Sequence, residues 1–515
     1  MAILSSRRCE ARVALVALLA LLLGPLLVAQ PDARAANGVH TVFFPWVSHS
    51  EMIGGQGPWT GEFSVQNLGD QPCAVPVYVA TSDGWVQRAQ LSVAPRSTRH
   101  HSSFLLGISQ PGAPVQFRAF CEISVALKQT TPRVATPPWS DGAHVVTGYS
   151  GLNDADITAS RATPTTLWYL PIVQTNSDWN TLIRVANFSE ASAIVATVEL
   201  YPAGNGDGAA GADVIRSRQL LVAESWTIDA LQEVGSDWVG FARITVTGEA
   251  GVIAQRVKPS ASLAITNVAI AADSQTPSGT FRTLAPLLFN AYNGWNTGIS
   301  LANTTDELAF VTIRYYEVDG EQVGEEQMVI PGRSMSFVYT PGNVPIDGFV
   351  GSAMIVSSVP LATAVDEVKY ETVEALSYMG SSVPQVDAAI PVVFRENPGA
   401  GRHDNSGISI ASFKEDGPQT VTVTLLSTSG QQVGDSPHEV VVPPSGNTVL
   451  YLPFMEDVPP GTIASVRLTS EDPAGFVAIT NDINYASFGD GSVAFVASNS
   501  DGYYHVPPPP APPTP

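Results

Sequence analysis

Basic residues are in short supply in this chain: 25 Lys and Arg stand against 47 Asp and Glu, for a formal net charge of −22. Nucleic-acid binding is excluded on that ground, because phosphate contacts need a basic face. Charged residues of either sign make up only 14%, while hydrophobic residues reach 44%, so apolar material for packed cores is ample. Helical signatures are missing too: past the N-terminus no stretch carries an apolar stripe with caps at both ends. The eight histidines, at 40, 49, 100, 101, 144, 403, 438 and 505, show no H-x₃-H spacing and no H-E-x-x-H. A G-x-S-x-G elbow is absent, and GNGDG at 204–208 lacks the Lys and the following helix of a phosphate loop. No apolar run after residue 35 approaches the length of a membrane span, the C-terminus carries no hydrophobic anchor, and no lipid-attachment cysteine follows the first apolar run.

What is present begins with an export signal. Arg7, Arg8 and Arg12 form a basic start, VALVALLALLLGPLLVA at 13–29 forms an apolar core broken by Gly24 and Pro25, and Ala33-Arg34-Ala35 offers a small-x-small cleavage site. Residues 1–35 are therefore expected to be a cleaved signal peptide rather than a membrane anchor. Their loss leaves a charge of about −24 and two of the three cysteines, Cys73 and Cys121. An even pair in an exported chain reads as a disulfide, with two buried free thiols as the alternative.

The length, 515 residues, suggests three to five domains, and 43 Gly with 40 Pro suggest many turns between short strands. A repeated phrase fixes the number at four. WNTGISLAN (295–303) echoes WNTLIRVAN (179–187) and WTGEFSVQN (59–67), and DNSGISIAS (404–412) is a degenerate fourth copy with Asp404 for Trp and Ser412 for Asn. Each copy is preceded by a Pro in an apolar run, FFPWV (43–47), YLPIV (169–173), LAPLLF (284–289) and AIPVVF (389–394). Each is followed by an alternating strand, VPVYVA (75–80), ATVELY (196–201), VTIRYY (311–316) and VTVTLL (421–426). Segments of this kind, alternating with period two, rich in Val, Ile, Thr and Tyr and bounded by Gly, Pro, Asn and Asp, are strands. About seven of them per unit of roughly 110 residues describe an immunoglobulin-like sandwich.

The expected fold is therefore all-β, four tandem immunoglobulin-like β-sandwich domains over 37–160, 161–280, 281–386 and 387–500, with a Pro-rich tail at 501–515. Within the phrase, Trp59, Trp179 and Trp295 stand at a strand entrance, where each can plug one end of its sandwich. The alternative is that they lie exposed in a row and stack on sugar rings. Asn67, Asn187 and Asn303 close the strand, where the side chain can bond the backbone of the turn.

The third copy adds an Asp319-Gly320 turn and a Pro331-Gly332-x-Ser334 strand opening. With its N-terminated second strand and its V-x-h-x-Y third strand, this pattern resembles bacterial secreted sandwich repeats of the cell-adhesion-related CARDB type. The resemblance covers most of 37–500 and implies surface or secreted interaction modules without catalysis; it transfers no site residues. In such a sandwich the strands holding Cys73 and Cys121 are sheet neighbours. The phrase register sets Cys73 on position 309 of the third copy and, through an FRA/GSA match, Cys121 on Ile355.

The function expected is a non-catalytic secreted or cell-surface protein of structural or adhesive type, whose repeats set reach and multiply weak contacts. Its partners would be cell-surface or matrix components, a polysaccharide or another protein, with no cofactor. The alternative is an extracellular polysaccharide-binding protein or accessory module of a hydrolase system; buried Trp rings favour the first, an exposed flat ring the second. Asp/Gly loops at 153–156, 204–208 and 488–492 raise calcium, yet hold too few carboxylates, so hairpin loops are favoured. Asp366-Glu367 and Glu325-Glu326 are adjacent on or near strands, so their side chains diverge. Domain one stands apart: it has the disulfide, a Gly-rich insert SHSEMIGGQGP at 48–58, a long segment at 130–144, and a basic stretch, Arg96, Arg99, His100 and His101, on which an anionic partner could dock. Divergence of a capping repeat explains the same features.

Overall fold

The computed structural model describes residues 39–109, 111–132, 144–153, 165–204, 211–271, 281–372, 374–396, 404–484 and 490–499. The signal at 1–35, the tail at 501–515 and most residues of the three Asp/Gly loops lie outside them, as does most of 130–144.

The first repeat contains β1 (His40–Ser48), β2 (Thr60–Asn67), β3 (Cys73–Thr81), β4 (Gly84–Val93), β5 (Thr98–Ser102), β6 (Gly112–Ala119), β7 (Ile123–Pro132), β8 (His144–Ser150) and β9 (Leu152–Asn153). They form two facing antiparallel sheets in the orders β4-β3-β6-β1-β9 and β5-β2-β7-β8. The same pair of sheets recurs over 166–271, 281–379 and 387–499, the third lacking the two-residue last strand. The fold is thus all-β, four sandwiches in tandem. Among the described residues helix is confined to single turns such as Ala230–Val234.

Alternation dictates the packing. The strand Cys73–Thr81 and its equivalents Ile194–Pro202, Ala309–Glu317 and Gln419–Ser427 share one burial sequence, residue for residue, so the same positions of each enter the core. The prolines of the apolar runs also have a structural meaning. Pairing in the first strand slips between Phe44 and Val47, Leu170 and Val173, Ala285 and Leu288, and Ile390 and Val393, in each case across the Pro. A residue without an N–H cannot hold the ladder, and a bulge forms there.

The repeats do not extend into a string, as the idea of reach supposed. They close into a ring. Strand β1 packs on the β2- and β7-equivalents of repeat two, Thr166–Gln174 on those of repeat three, Phe281–Asn290 on those of repeat four, and Asp387–Arg395 on β2 and β7 of repeat one. The contact is head-to-tail and returns to its start. At the centre lie β8 and its equivalents Leu263–Val268, Glu374–Met379 and Asp490–Val496, each against its two neighbours. The axis is filled by Thr147 and Gly148, Ile265 and Thr266, Leu376 and Ser377, and Val493 and Ala494. A Cβ at Gly148 would stand 2.2 Å from the Leu127 carbonyl oxygen and 2.9 Å from Val493 Cγ2, so only glycine fits. The cores run on across the joints: Phe43 and Leu152 of repeat one belong to the core of repeat two, and Ile479, Ile483 and Ala494 of repeat four to that of repeat three.

Candidate functional site

The polar chemistry of the protein collects at the joints of the ring. Two successive residues of the β7-type strand supply it, 128 and 129, 255 and 256, 366 and 367, and 481 and 482, which the strand pairings make equivalent. Their side chains point to opposite faces, so each pair serves two joints. Asp366 accepts a bidentate pair from Arg256 of repeat two, one bond at 2.7 Å, whereas Glu367 accepts from Asn481 Nδ2 of repeat four at 2.7 Å. Lys128 of repeat one is held between Asp404, at 3.1 Å, and Asp482 of repeat four. Between repeats one and two, Gln129 and Gln255 converge on Ser48, and Arg184 pairs with Glu51 while lying 4.5 Å above the Trp46 ring. Each of the four joints therefore has its own charges and donors.

Glu367 is fully buried, and burial pushes its carboxyl well above the ordinary range; Asn481 opposes this and Asp366 adds to it. A carboxyl that ionises less readily folded than unfolded contributes stability that is fully present below the unfolded pKa, about 4.3. That contribution is lost as pH rises toward the folded value. Glu367→Gln should therefore lose less of its melting temperature than the wild type as pH rises above about 5, because it has no buried carboxyl to ionise. Parallel pH-dependent melts check this, and equal slopes for the two proteins would refute it.

The signature tryptophans occupy the same joints. Trp59 is 1% exposed among Ile53, Val145 and residues Val257 and Ala264 of repeat two. Trp179, 7% exposed, packs with Val368 and Ala375 of repeat three, and Trp295, 1% exposed, joins a cluster containing Ile483 and Ala494 of repeat four. They form no exposed row for stacking on sugars: Trp295 packs in the core of its own repeat, which residues of repeat four join, and Trp59 and Trp179 seal their repeats against the next. The fourth copy has Asp404 at this place, and there Asp404 meets Lys128 instead of an apolar wall.

The closing asparagines act within their own repeats. Asn303 Nδ2 lies within bonding distance of the carbonyls of Glu307 (2.6 Å), Ile330 (3.1 Å) and Pro331 (3.1 Å), and its Oδ1 accepts from the Thr305 N–H at 3.0 Å. Asn67 and Asn187 repeat this set on their own turns, each with three carbonyls. The amide ties the start of one loop to the end of a strand some 27 residues away. Asn303→Ala leaves buried carbonyls unpaired and should cost about 2–3 kcal/mol. A denaturation midpoint unchanged from the wild type would refute this.

A disulfide joins Cys73 and Cys121, with 6.1 Å between the Cα atoms. It continues the pairing of β3 with β6, in which Val77 faces Phe117. The same register places Cys121 on Val359 of the third repeat, a correction of four residues to the Ile355 alignment; Ile355 is the counterpart of Phe117. The FRA/GSA match misled because small residues recur throughout these strands.

The basic stretch of repeat one does not present a single face. On β5, Arg99 and His101 point to one side and His100 to the other. Arg96 pairs with Asp70, and this bond holds the Asp70 carboxyl below its ordinary value. His100 lies 3.0 Å from Ser64 Oγ, and burial lowers the imidazole pKa of both His100 and His101. The Gly-rich insert has a structural use: Glu51 binds Arg184, Ile53 packs by Val257, and Gln56 Nε2 donates to the Lys258 carbonyl at 3.4 Å. It fills the recess between repeats one and two.

The equivalent recess between repeats two and three stays open, because Trp179 follows Gln174 after only four residues. It is a shallow cleft of about 100 Å³. Its floor is the Arg256–Asp366 pair, with Arg256 only 1% exposed. Phe337, Tyr339 and Tyr370 stand on the repeat-three wall, 52%, 38% and 54% exposed, opposite Trp179. Phe337 lies over Gly298, where a Cβ would come within 2.5 Å of the ring. By strand pairing, Phe337 and Tyr339 correspond to His100 and Ser102, Thr227 and Asp229, and Val449 and Tyr451, so the double aromatic belongs to repeat three alone. The sequence reading passed over this wall; two rings two residues apart on an edge strand, Phe337-Val338-Tyr339, were the available signal.

Among the described residues, Glu317, Asp319 and Glu321 bring three carboxylates within 4.8 Å on a hairpin. Asp319 there caps the Glu321 N–H at 3.0 Å, which is ordinary turn chemistry.

No family model matches the chain, and no protein of curated function does. Among solved structures, the crystal structure of Thermotoga maritima 1070 is similar over 20% of this chain and 96% of its own, at 18% identity and a TM-score of 0.18. Allantoicase from Saccharomyces cerevisiae covers 73% of this chain and 77% of its own, at 8% identity and a TM-score of 0.14. Likenesses this slight carry no functional argument.

Proposed function

We propose that this is a non-catalytic, exported surface or matrix protein of adhesive type, in which four sandwiches act as one block. The ring is the observation that carries the reading. Trp59, Trp179 and the buried charges of its joints are committed to inter-repeat contacts, which hold outward loops and edge strands at fixed spacing, a favourable arrangement for several simultaneous weak contacts. The disulfide is compatible with an oxidising, extracellular compartment, and among the described residues no helix is long and apolar enough to cross a membrane. Fluorescently labelled protein should bind intact cells of the producing organism, or their isolated envelope, saturably. Turnover of glycoside, ester, peptide or phosphate substrates that tracks the purified protein would overturn the reading, as would no binding to any envelope fraction.

The polysaccharide-binding alternative keeps one specific observation in its favour, the open aromatic cleft between repeats two and three.

A further inference from the structure

We infer that the cleft between repeats two and three is a binding site for a neutral saccharide segment. The inference rests on the adhesive reading and names the chemistry of one of its contacts.

The cleft is built rather than left over. At the joint between repeats one and two the same recess is filled: a Cβ at Gly54 of the insert would stand 2.8 Å from Pro259 and 3.3 Å from Val257, which occupy the places of Tyr370 and Val368. Repeat two has no such insert, and repeat three faces the gap with three exposed rings. Exposed aromatic surface is costly in water and marks a contact site when it is grouped in a concavity. Gly298 is part of the design, since any larger residue would lift Phe337 off the strand.

The ligand class follows from three properties. First, the walls are flat rings with electron-rich faces, and the C–H faces of a pyranose are apolar and match them. Second, the floor offers a fixed donor and acceptor. Arg256 is locked by Asp366 and by Asn267 Oδ1 at 2.9 Å, and the Asp366 carboxylate, 13% exposed, keeps further lone pairs for ligand hydroxyls. Third, the Arg256 and Asp366 charges of the floor cancel, the Lys258 ammonium, 5.8 Å from the Trp179 and Tyr370 rings, has the Asp178 carboxylate near it, and a chain of net charge −22 repels anionic polymers. Flat apolar faces with a hydroxyl rim and no charge describe a neutral sugar.

The test titrates the full-length protein with cello-, manno-, malto- and chitohexaose by calorimetry and by Trp fluorescence, for which Trp179 is the nearby reporter. At least one hexasaccharide should bind in the micromolar to millimolar range. Phe337→Ala and Tyr370→Ala should each weaken it tenfold or more, with unchanged melting temperatures because both side chains are exposed, while Tyr292→Ala should bind as the wild type. Absence of binding by all four sugars at about 10 mM would overturn the inference. So would binding that survives both cleft substitutions, or an aromatic peptide that competes where no sugar does. Each of these results leaves the adhesive reading standing if labelled protein still binds cells; loss of cell binding in the wild type is what fails that reading.

Discussion

Replacing Lys128 with alanine should open the ring between its fourth and first repeats. The ammonium is 14% exposed and lies between Asp404 and Asp482, themselves 8% and 2% exposed, and 5.0 Å from the Phe394 ring centroid. Without it, Asp404 and Asp482 lose the ammonium that lies between them. Breaking a buried pair from one side typically costs about 3–5 kcal/mol, because the partner charge remains desolvated. Among the described residues this joint, unlike the others, has no Trp to hold it. A larger radius of gyration by small-angle scattering and faster proteolysis between repeats are expected. Converting all three residues together, Lys128→Met with Asp404→Asn and Asp482→Asn, should largely restore closure, since no lone charge is left behind. A closed Lys128→Ala ring of wild-type stability would show that the axis strands suffice.

Removing the disulfide should produce an effect of similar size confined to repeat one. The bond closes a loop of 48 residues, which the chain-entropy relation values at about 4 kcal/mol. The other repeats show what the fold uses instead. The equivalent pairs are Ile194 with Gly248, Ala309 with Val359, and Gln419 with Asp472, and of these Ala309 with Val359 is apolar and buried on both sides. Cys73→Ala with Cys121→Val copies the third repeat, and should recover part of the loss that Cys73→Ser with Cys121→Ser suffers in full. Calorimetry distinguishes the two. If the serine variant melts with the wild type, the bond adds nothing beyond the sheet pairing that it continues.

These two sites differ in how far the sequence disclosed them. The disulfide was legible because cysteines are rare and the phrase register could be carried onto a known pair of strands. Asn67, Asn187 and Asn303 were legible because an amide at a strand end has few other uses. Lys128, Asp482 and Glu367 were not, since a charged residue at an alternate strand position reads as solvent-facing unless a second domain covers it. The same blindness left half of the tryptophans' surroundings unseen: burial was foreseen for them, but the residues that the next repeat adds were not. Periodicity reports which face of a strand is covered and is silent on what covers it. The cleft stayed hidden for a related reason, as it exists only where two repeats meet and one loop is short.

Because every joint uses the same strands, the ring has no privileged starting point. The fourth repeat meets the first as each repeat meets its successor, although the backbone does not run directly from one to the other there. A circular permutant is therefore expected to fold: residue 499 sewn to residue 39 by a short linker, with new termini within 272–280 between repeats two and three. It would enclose the same axis in the same cyclic order, since that order is encoded by four dissimilar polar joints and not by the sequence of synthesis. Fragments 39–271 and 281–499, each ending in one unmatched face of either kind, would find each other for the same reason.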